Sequence, residues 1–472
     1  MRVFAKLLSV IACLFWVSFL FANSSQTHEQ ITKQLCDMMD MESATWLNLD
    51  ASGVAILQKA SDNGDSNASA SLGACYYLGI GVAVDKTKAL EAFAKSAFSG
   101  NVYGMWGLGV CMLDKQASIQ NEKTAFDFFK KASEKKYANA INSLGNCYYN
   151  GIGTDFNRRK AVELFNEAIK LGSNRAKVSL ARAYLNGVGV DKNIEKARVL
   201  LTESANAGNV IAQNNLGVFY IDGIGGERDE FLAIKWFSEA SKNKYPSAML
   251  VMGMAYMQGS GVEQNEKKGF LLIKESADAG NAEAQNTLGV CYSSGYGTEI
   301  NMISAFNEYK RSALQGNAVA QNNLADCYFN GAGCSEDKEE AVKWYRKSAL
   351  QGEVLAQSSL GKCYLEGYGI GKSKRDAIKW LKKAADAGDV SAQSNLGVCY
   401  VNAVGTEQNL PEGIKYLKMS AEKEDTQAMA TLGACYYNGV GVEKNELKGI
   451  GLLRKASKAG NKEARKALSR IR

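Results

Sequence analysis

Eleven cysteines, one histidine and several serine–lysine pairs are the residues of this chain whose types and spacing could do chemistry. Eight of the cysteines share one frame. Cys75, Cys111 and Cys147 stand 36 residues apart, as do Cys291, Cys327, Cys363, Cys399 and Cys435, and four such periods separate the two runs. Ala183, Phe219 and Ala255 occupy the skipped positions. A zinc site needs Cys or His gathered in space. A disulfide needs Cα atoms closer than about 7 Å, whereas packed helices lie about 8–10 Å apart. The in-phase cysteines are therefore expected neither to pair nor to hold a metal. Alanine in the same slot marks it as a packing position, where a thiol serves as a small hydrophobe. Cys36 and Cys334 fall out of phase and are the thiols expected to be most exposed. Cys334 follows Cys327 by seven residues in a turn, and the pair is expected to remain two thiols.

Catalytic sets are equally thin. His28 is the one histidine and precedes the periodic region, a poor member for a triad. S-x-x-K occurs at Ser133 to Lys136 and Ser335 to Lys338, and S-D-N at Ser61 to Asn63, but K-T-G is missing and the order differs from the penicillin-binding set. No phosphate-binding Walker loop occurs. The expectation is a protein that is not an enzyme and uses no cofactor or metal.

The elements that position these residues follow from the period. Each copy usually carries Leu three before the cysteine phase, Gly or Ala two before it, and Tyr one after it, as in Leu324, Ala325 and Tyr328. Leu and Tyr, four apart, share a helix face, and the small residue lets a neighbouring helix approach. Four after the cysteine comes G-x-G, as in Gly367 and Gly369, which suits a left-handed helix stop. The second half has Ala or Gly at fourteen past the phase, a bulky apolar residue four later (Phe93, Phe165, Leu381), then Ala or Ser and usually a second Gly. Helix, turn, helix, turn at a fixed period is an all-α solenoid. With two prolines against 46 glycines, glycine does the stopping.

The ends differ. Residues 1–22 carry Arg2 and Lys6, then the apolar run Leu7 to Ala22, the pattern of a secretory signal. Its membrane alternative is an uncleaved N-terminal anchor. Residues 23–66 are expected to cap the array with a helix over Thr27 to Met41 and a degenerate second helix. Eleven copies fill 67–462, and 463–472 form a charged closing helix. The net charge of +7 falls to +5 once Arg2 and Lys6 leave with the signal. No basic block stands out, which argues against nucleic acid.

"AQNNLGVFYIDGIGGERDEFLAIKWFSEASKNK" and "AQNNLADCYFNGAGCSEDKEEAVKWYRKSALQG" resemble Sel-like repeats, the 36-residue relatives of tetratricopeptide repeats. The resemblance implies a right-handed α/α superhelical solenoid that serves as an adaptor for protein complexes. The family occurs in exported bacterial proteins, which implies a periplasmic or extracellular place, and in eukaryotic endoplasmic-reticulum quality control. Its Helicobacter cysteine-rich branch carries disulfides at positions held here by residues such as Ala320 and Ala349. That framework is absent, and a cell-envelope hydrolase or penicillin-binding activity stands only as an alternative.

By analogy with tetratricopeptide arrays, a protein or peptide partner is expected in the groove of the first helices. Its phases select Tyr77, Tyr103, Trp106, Val110, Leu113 with Asp114, Asn142, Asn146, Tyr149 and Asn150 in early copies. In later copies they select Asn322, Asp326, Phe329, Asn330, Ser358, Lys362, Leu365 and Glu366. Amides can hold a peptide backbone, and aromatic side chains can anchor it. The second copy, "CMLDKQASIQNEKTA", loses its glycines and is expected to turn differently.

Overall fold

The computed structural model describes residues 50–114 and 121–471. The signal segment, His28, Cys13, Cys36, the helix expected over Thr27 to Met41 and most of the altered turn lie outside the described residues. Among the described residues there are 24 helices and no strand. They form two compact units divided after Gly280.

The N-terminal unit begins with Ala51–Asp62. Six pairs follow, whose first helices are Ser66–Leu78, Val102–Leu113, Ala138–Asn150, Asn174–Asn186, Val210–Ile221 and Pro246–Gln258. The C-terminal unit has five pairs, with first helices Ala282–Ser294, Ala318–Asn330, Val354–Glu366, Val390–Val401 and Thr426–Asn438, and closes with Lys462–Arg470. Within each unit, helices pack against their neighbours in chain order.

Local chemistry explains the frame. Asn or Asp caps most helices through its side chain: Asn317 Oδ1 accepts from Ala320 N at 2.8 Å, and Asp337 Oδ1 from Glu340 N at 2.9 Å. The two glycines of the turn do different work. Gly367 takes φ 81° and its N–H bonds Cys363 O, ending the helix. Gly369 has φ 60°, and a Cβ there would lie 2.0 Å from the carbonyl oxygen of Lys338, in the preceding repeat. Gly153 stands in the same way against Glu122 O, at 2.2 Å. The second glycine is therefore a contact between repeats as well as a turn.

Inside a pair, the small residue two before the cysteine phase receives the bulky residue eighteen after it. A Cβ on Gly145 would meet the Phe165 ring at 2.7 Å, and one on Gly289 the Tyr309 ring at 2.6 Å. Phe165 and Leu324 are fully buried. Two buried polar positions tie the frame. Ser348 Oγ donates to Ala318 O at 2.6 Å, and Ser204, Ser276, Ser312 and Ser420 repeat that bond within their own pairs. Gln357 Nε2 donates to Ala349 O of the preceding repeat at 3.2 Å, as Gln213 does to Ala205 and Gln393 to Ala385.

Candidate partner-binding face

The first helices of consecutive repeats pack side by side, as Ser66–Leu78 does against Val102–Leu113. In the N-terminal unit this brings together much of the aromatic set chosen by phase. Tyr103 meets Tyr137 edge-on, with centroids 5.2 Å apart, and Trp106 meets the same ring at 5.9 Å. Trp106 Nε1 donates to Ser143 Oγ at 3.0 Å, in the next first helix. Val110 and Leu113 are half-buried against the core formed by the second and third repeats. Tyr77 is drawn into a local set: its hydroxyl donates to Asp114 Oδ2 at 3.0 Å, while Lys86 Nζ pairs with that carboxylate at 3.2 Å and sits 3.3 Å from the ring centroid. Tyr149 lies under a guanidinium: Arg182 Cζ is 4.5 Å from its ring centroid, and Arg182 donates to Asn146 Oδ1 at 2.8 Å. Asn150 is exposed and caps its own helix, donating to Asn146 O at 3.0 Å.

In the C-terminal unit one repeat holds an acid one residue before the cysteine phase. Asp326 Oδ1 accepts from the Tyr345 hydroxyl at 2.5 Å, and its Oδ2 from Asn322 Nδ2 at 3.1 Å. Burial pushes its carboxyl above the usual range, and the bonds from Tyr345 and Asn322 offset part of that rise. Phe329 packs edge-on against Tyr368 of the next repeat at 5.6 Å. Asn330 is exposed and donates to Asp326 O at 2.9 Å. Lys362 and Glu366 are exposed, while Leu365 is half-buried.

One phase is corrected. Asn142, Asn322 and Ser358, five before the cysteine, were expected to line an open groove, but they are 6%, 4% and 8% exposed. This phase points between adjacent first helices: Ser358 Oγ donates at 2.8 Å to Oδ1 of Asp389, the residue that caps the next first helix. Asn142 and Asn322 thus sit in the seam between repeats and cannot receive a peptide backbone without the helices parting.

The Sel1 repeat profile matches eleven consecutive segments, 66–97, 102–137, 138–173, 175–209, 210–245, 246–281, 282–317, 318–353, 354–389, 390–425 and 426–461. The chain belongs to the Sel1 repeat family. Among solved structures it is similar to a protective antigen of uropathogenic Escherichia coli strains displaying an SLR fold, with 29% identity over 89% of this chain and 91% of that one and a TM-score of 0.59. It is also similar to a Sel1 repeat protein of Oxalobacter formigenes, with 28% identity over 66% of this chain and 90% of that one and a TM-score of 0.45. Among curated proteins, none matches this chain.

Within the Sel1 frame the chemistry of the thiols is clear. The eight in-phase cysteines are buried and free, and Cys334 is half-buried and free. Burial pushes the thiols of Cys75, Cys111, Cys147 and Cys327 up to about 12 and those of Cys291, Cys363 and Cys399 up to about 11. Such thiols are poor nucleophiles at neutral pH. The serine–lysine pairs are scattered: Ser61 bonds Ser69, Ser133 bonds Lys130 O, and Lys338 pairs with Glu336. No group of three or more metal-ligating side chains occurs among the described residues.

Arg175 falls outside the mapped phases, whereas Arg182 stands at one of them, that of Val110, Asn146 and Asp326, in a copy from which no groove residue was selected. Both stand on Asn174–Asn186, with Arg175 Cζ 5.8 Å from the Trp106 ring centroid. A count of charges helix by helix would have found them. The six first helices of the N-terminal unit hold three charged residues, Arg175, Lys177 and Arg182, all on that one helix.

Proposed function

We propose that this Sel1 repeat protein is an exported, non-catalytic scaffold that holds a protein or peptide partner on the face of its first helices. Sel1 and tetratricopeptide-like solenoids are in general protein-interaction scaffolds. The observation that carries the reading here is the set Trp106, Tyr149 and Arg182. These large side chains are ordered by cross-repeat contacts and, for Trp106 and Tyr149, by one side of the ring against the core, yet they remain partly or largely exposed. Aromatic and arginine side chains so placed are common anchors of protein interfaces. Export rests on the charged and apolar leader of residues 1–22.

The test is co-purification from the native host with wild type and with the double variant Trp106→Ala, Tyr149→Ala, each partner being identified by mass spectrometry. Loss of specific partners in the folded double variant supports the assignment. Identical partner sets sink it. Mass spectrometry of the mature N-terminus checks export separately: a chain that still begins at Met1 in the cytoplasm removes that part of the reading.

A further inference from the structure

Charge on the first-helix face of the N-terminal unit is sparse, and acids stand at helix ends, as Asp114 and the exposed Asp222 do. Six first helices present three cations and no carboxylate. Lys177 is satisfied by Glu203 at 2.9 Å. Asp114, at the end of one of these helices, is taken by Lys86. Arg182 is different. It is exposed, it is oriented by Asn146 Oδ1 and by stacking on Tyr149, and no described carboxylate lies within ion-pair distance of it. Two other arginines of the unit find acids, Arg198 with Glu195 at 2.7 Å and Arg228 with Glu230 at 2.6 Å, whereas Arg158 lies over the exposed Phe156 ring. A guanidinium carries five donors in a planar fork matched to carboxylates, and an amide and a ring hold this one in place.

We propose that the N-terminal unit binds an acidic, extended polypeptide segment, with a side-chain carboxylate of that segment on Arg182 and its neighbouring residues on Tyr149 and Trp106. The proposal rests on the partner-binding reading above and adds the chemistry of the partner. Side-by-side first helices expose one such position per repeat, so an extended segment can run across several of them. The expected segment carries acidic residues with intervening small or apolar ones.

The probe is a fluorescein-labelled decamer of alternating Glu and Ala, read by fluorescence anisotropy with the full-length protein at low salt. Decamers with Gln or Lys in place of Glu, and a single-stranded DNA decamer, serve as competitors. The Glu decamer should bind about tenfold more tightly than the Gln decamer, as a charge-assisted pair implies, and added salt should erase the difference. Arg182→Gln should lower Glu-decamer affinity to that of the Gln decamer and leave the latter unchanged. Arg311→Gln, which removes a charge already paired to Glu308 at 2.8 Å, should change neither. Equal affinity of wild type for the Glu and Gln decamers, or no loss in Arg182→Gln, overturns the acidic assignment. If both decamers then still bind and Trp106→Ala, Tyr149→Ala abolishes both, the partner-binding reading stands without it. Stronger competition by the DNA decamer than by the Glu decamer also overturns the proposal, in favour of a nucleic acid.

Discussion

Two first helices, one from each unit, show how the same repeat can present opposite chemistry. Asn174–Asn186 of the N-terminal unit places Arg182 one residue before the cysteine phase, and Ala318–Asn330 of the C-terminal unit places Asp326 there. Leu180 and Leu324, three before the phase, are buried in both, and Ala181 and Ala325 are fully buried beside them. The frame is identical and the charge is reversed. The fates of the two charges differ as well. Asp326 is enclosed, because a tyrosine at the bulky core position sends its hydroxyl to the carboxylate. Arg182 has no comparable group beneath it, so it rests on Tyr149 and stays exposed. What sets the surface chemistry of a repeat is thus in part the core residue below it.

Four substitutions or titrations break or sharpen this comparison. The largest effect of any single substitution should fall on the shared frame. Gly153→Ala and Gly369→Ala each force a Cβ into the backbone of the preceding repeat at a positive φ, costing about 3 kcal/mol. Urea unfolding should show similar losses in both units, and a loss confined to one would mean that the frame is not equivalent.

Alkaline pH should act next. The unfolded thiols ionise near 9, whereas the folded ones hold their protons to about 11–12. The stability that they contribute is complete below pH 9 and is lost as pH rises through the folded values, at about 1.4 kcal/mol per thiol per pH unit. Denaturation midpoints from pH 8 to 11 should therefore fall, and Cys147→Ala or Cys399→Ala should flatten the slope.

Asp326→Asn tests the enclosed charge. A carboxyl raised by burial contributes stability only below its unfolded value of 3.8, and that contribution is lost as pH rises through the folded value. At pH 7 the ionised group is a burden, and Asn322 Oδ1 beside it lacks a donor. An amide there can accept from Tyr345 and donate to Asn322 Oδ1. A gain of about 1 kcal/mol is expected at pH 7, vanishing near pH 3.5 by thermal unfolding. The smallest effect concerns strained turns. Lys136 and Lys244 in one unit and Glu424 in the other hold φ 57°, 58° and 63° where other copies use glycine. Replacing each with Gly should raise stability by about 0.7 kcal/mol, measurable as small rises in melting temperature.

The fold was largely legible in the chain. Cysteine spacing gave the period, Gly145 against Phe165 is the close approach expected of a small residue, and the glycine after each first helix is the stop. Less legible were the links between repeats. Gln357 and Ser348 read as polar fillers in the linear sequence, because their acceptors, Ala349 O and Ala318 O, are backbone atoms brought near only by stacking. The face was read in part. Phase alone fixes a side chain's angle about its own helix but not the tilt of the neighbouring helix, so Asn142 and Asn322 looked open when they lie in a seam. Arg182 stands at a mapped phase, that of Asn146 and Asp326, but in the fourth copy, where Ala183 replaces the cysteine and no groove residue was selected.

The buried hydrogen bonds have a consequence for the molecule under load. Each serine bond closes within a pair, and each glutamine bond reaches back one repeat and no further. No polar tie described above spans a longer stretch. Pulled from its two ends, a chain tied in this way should lengthen in even steps, each releasing one 36-residue period, about 120 Å of extended chain. Such a protein is a mechanical ruler: tension would strip away repeats in whole units and leave the remaining ones intact.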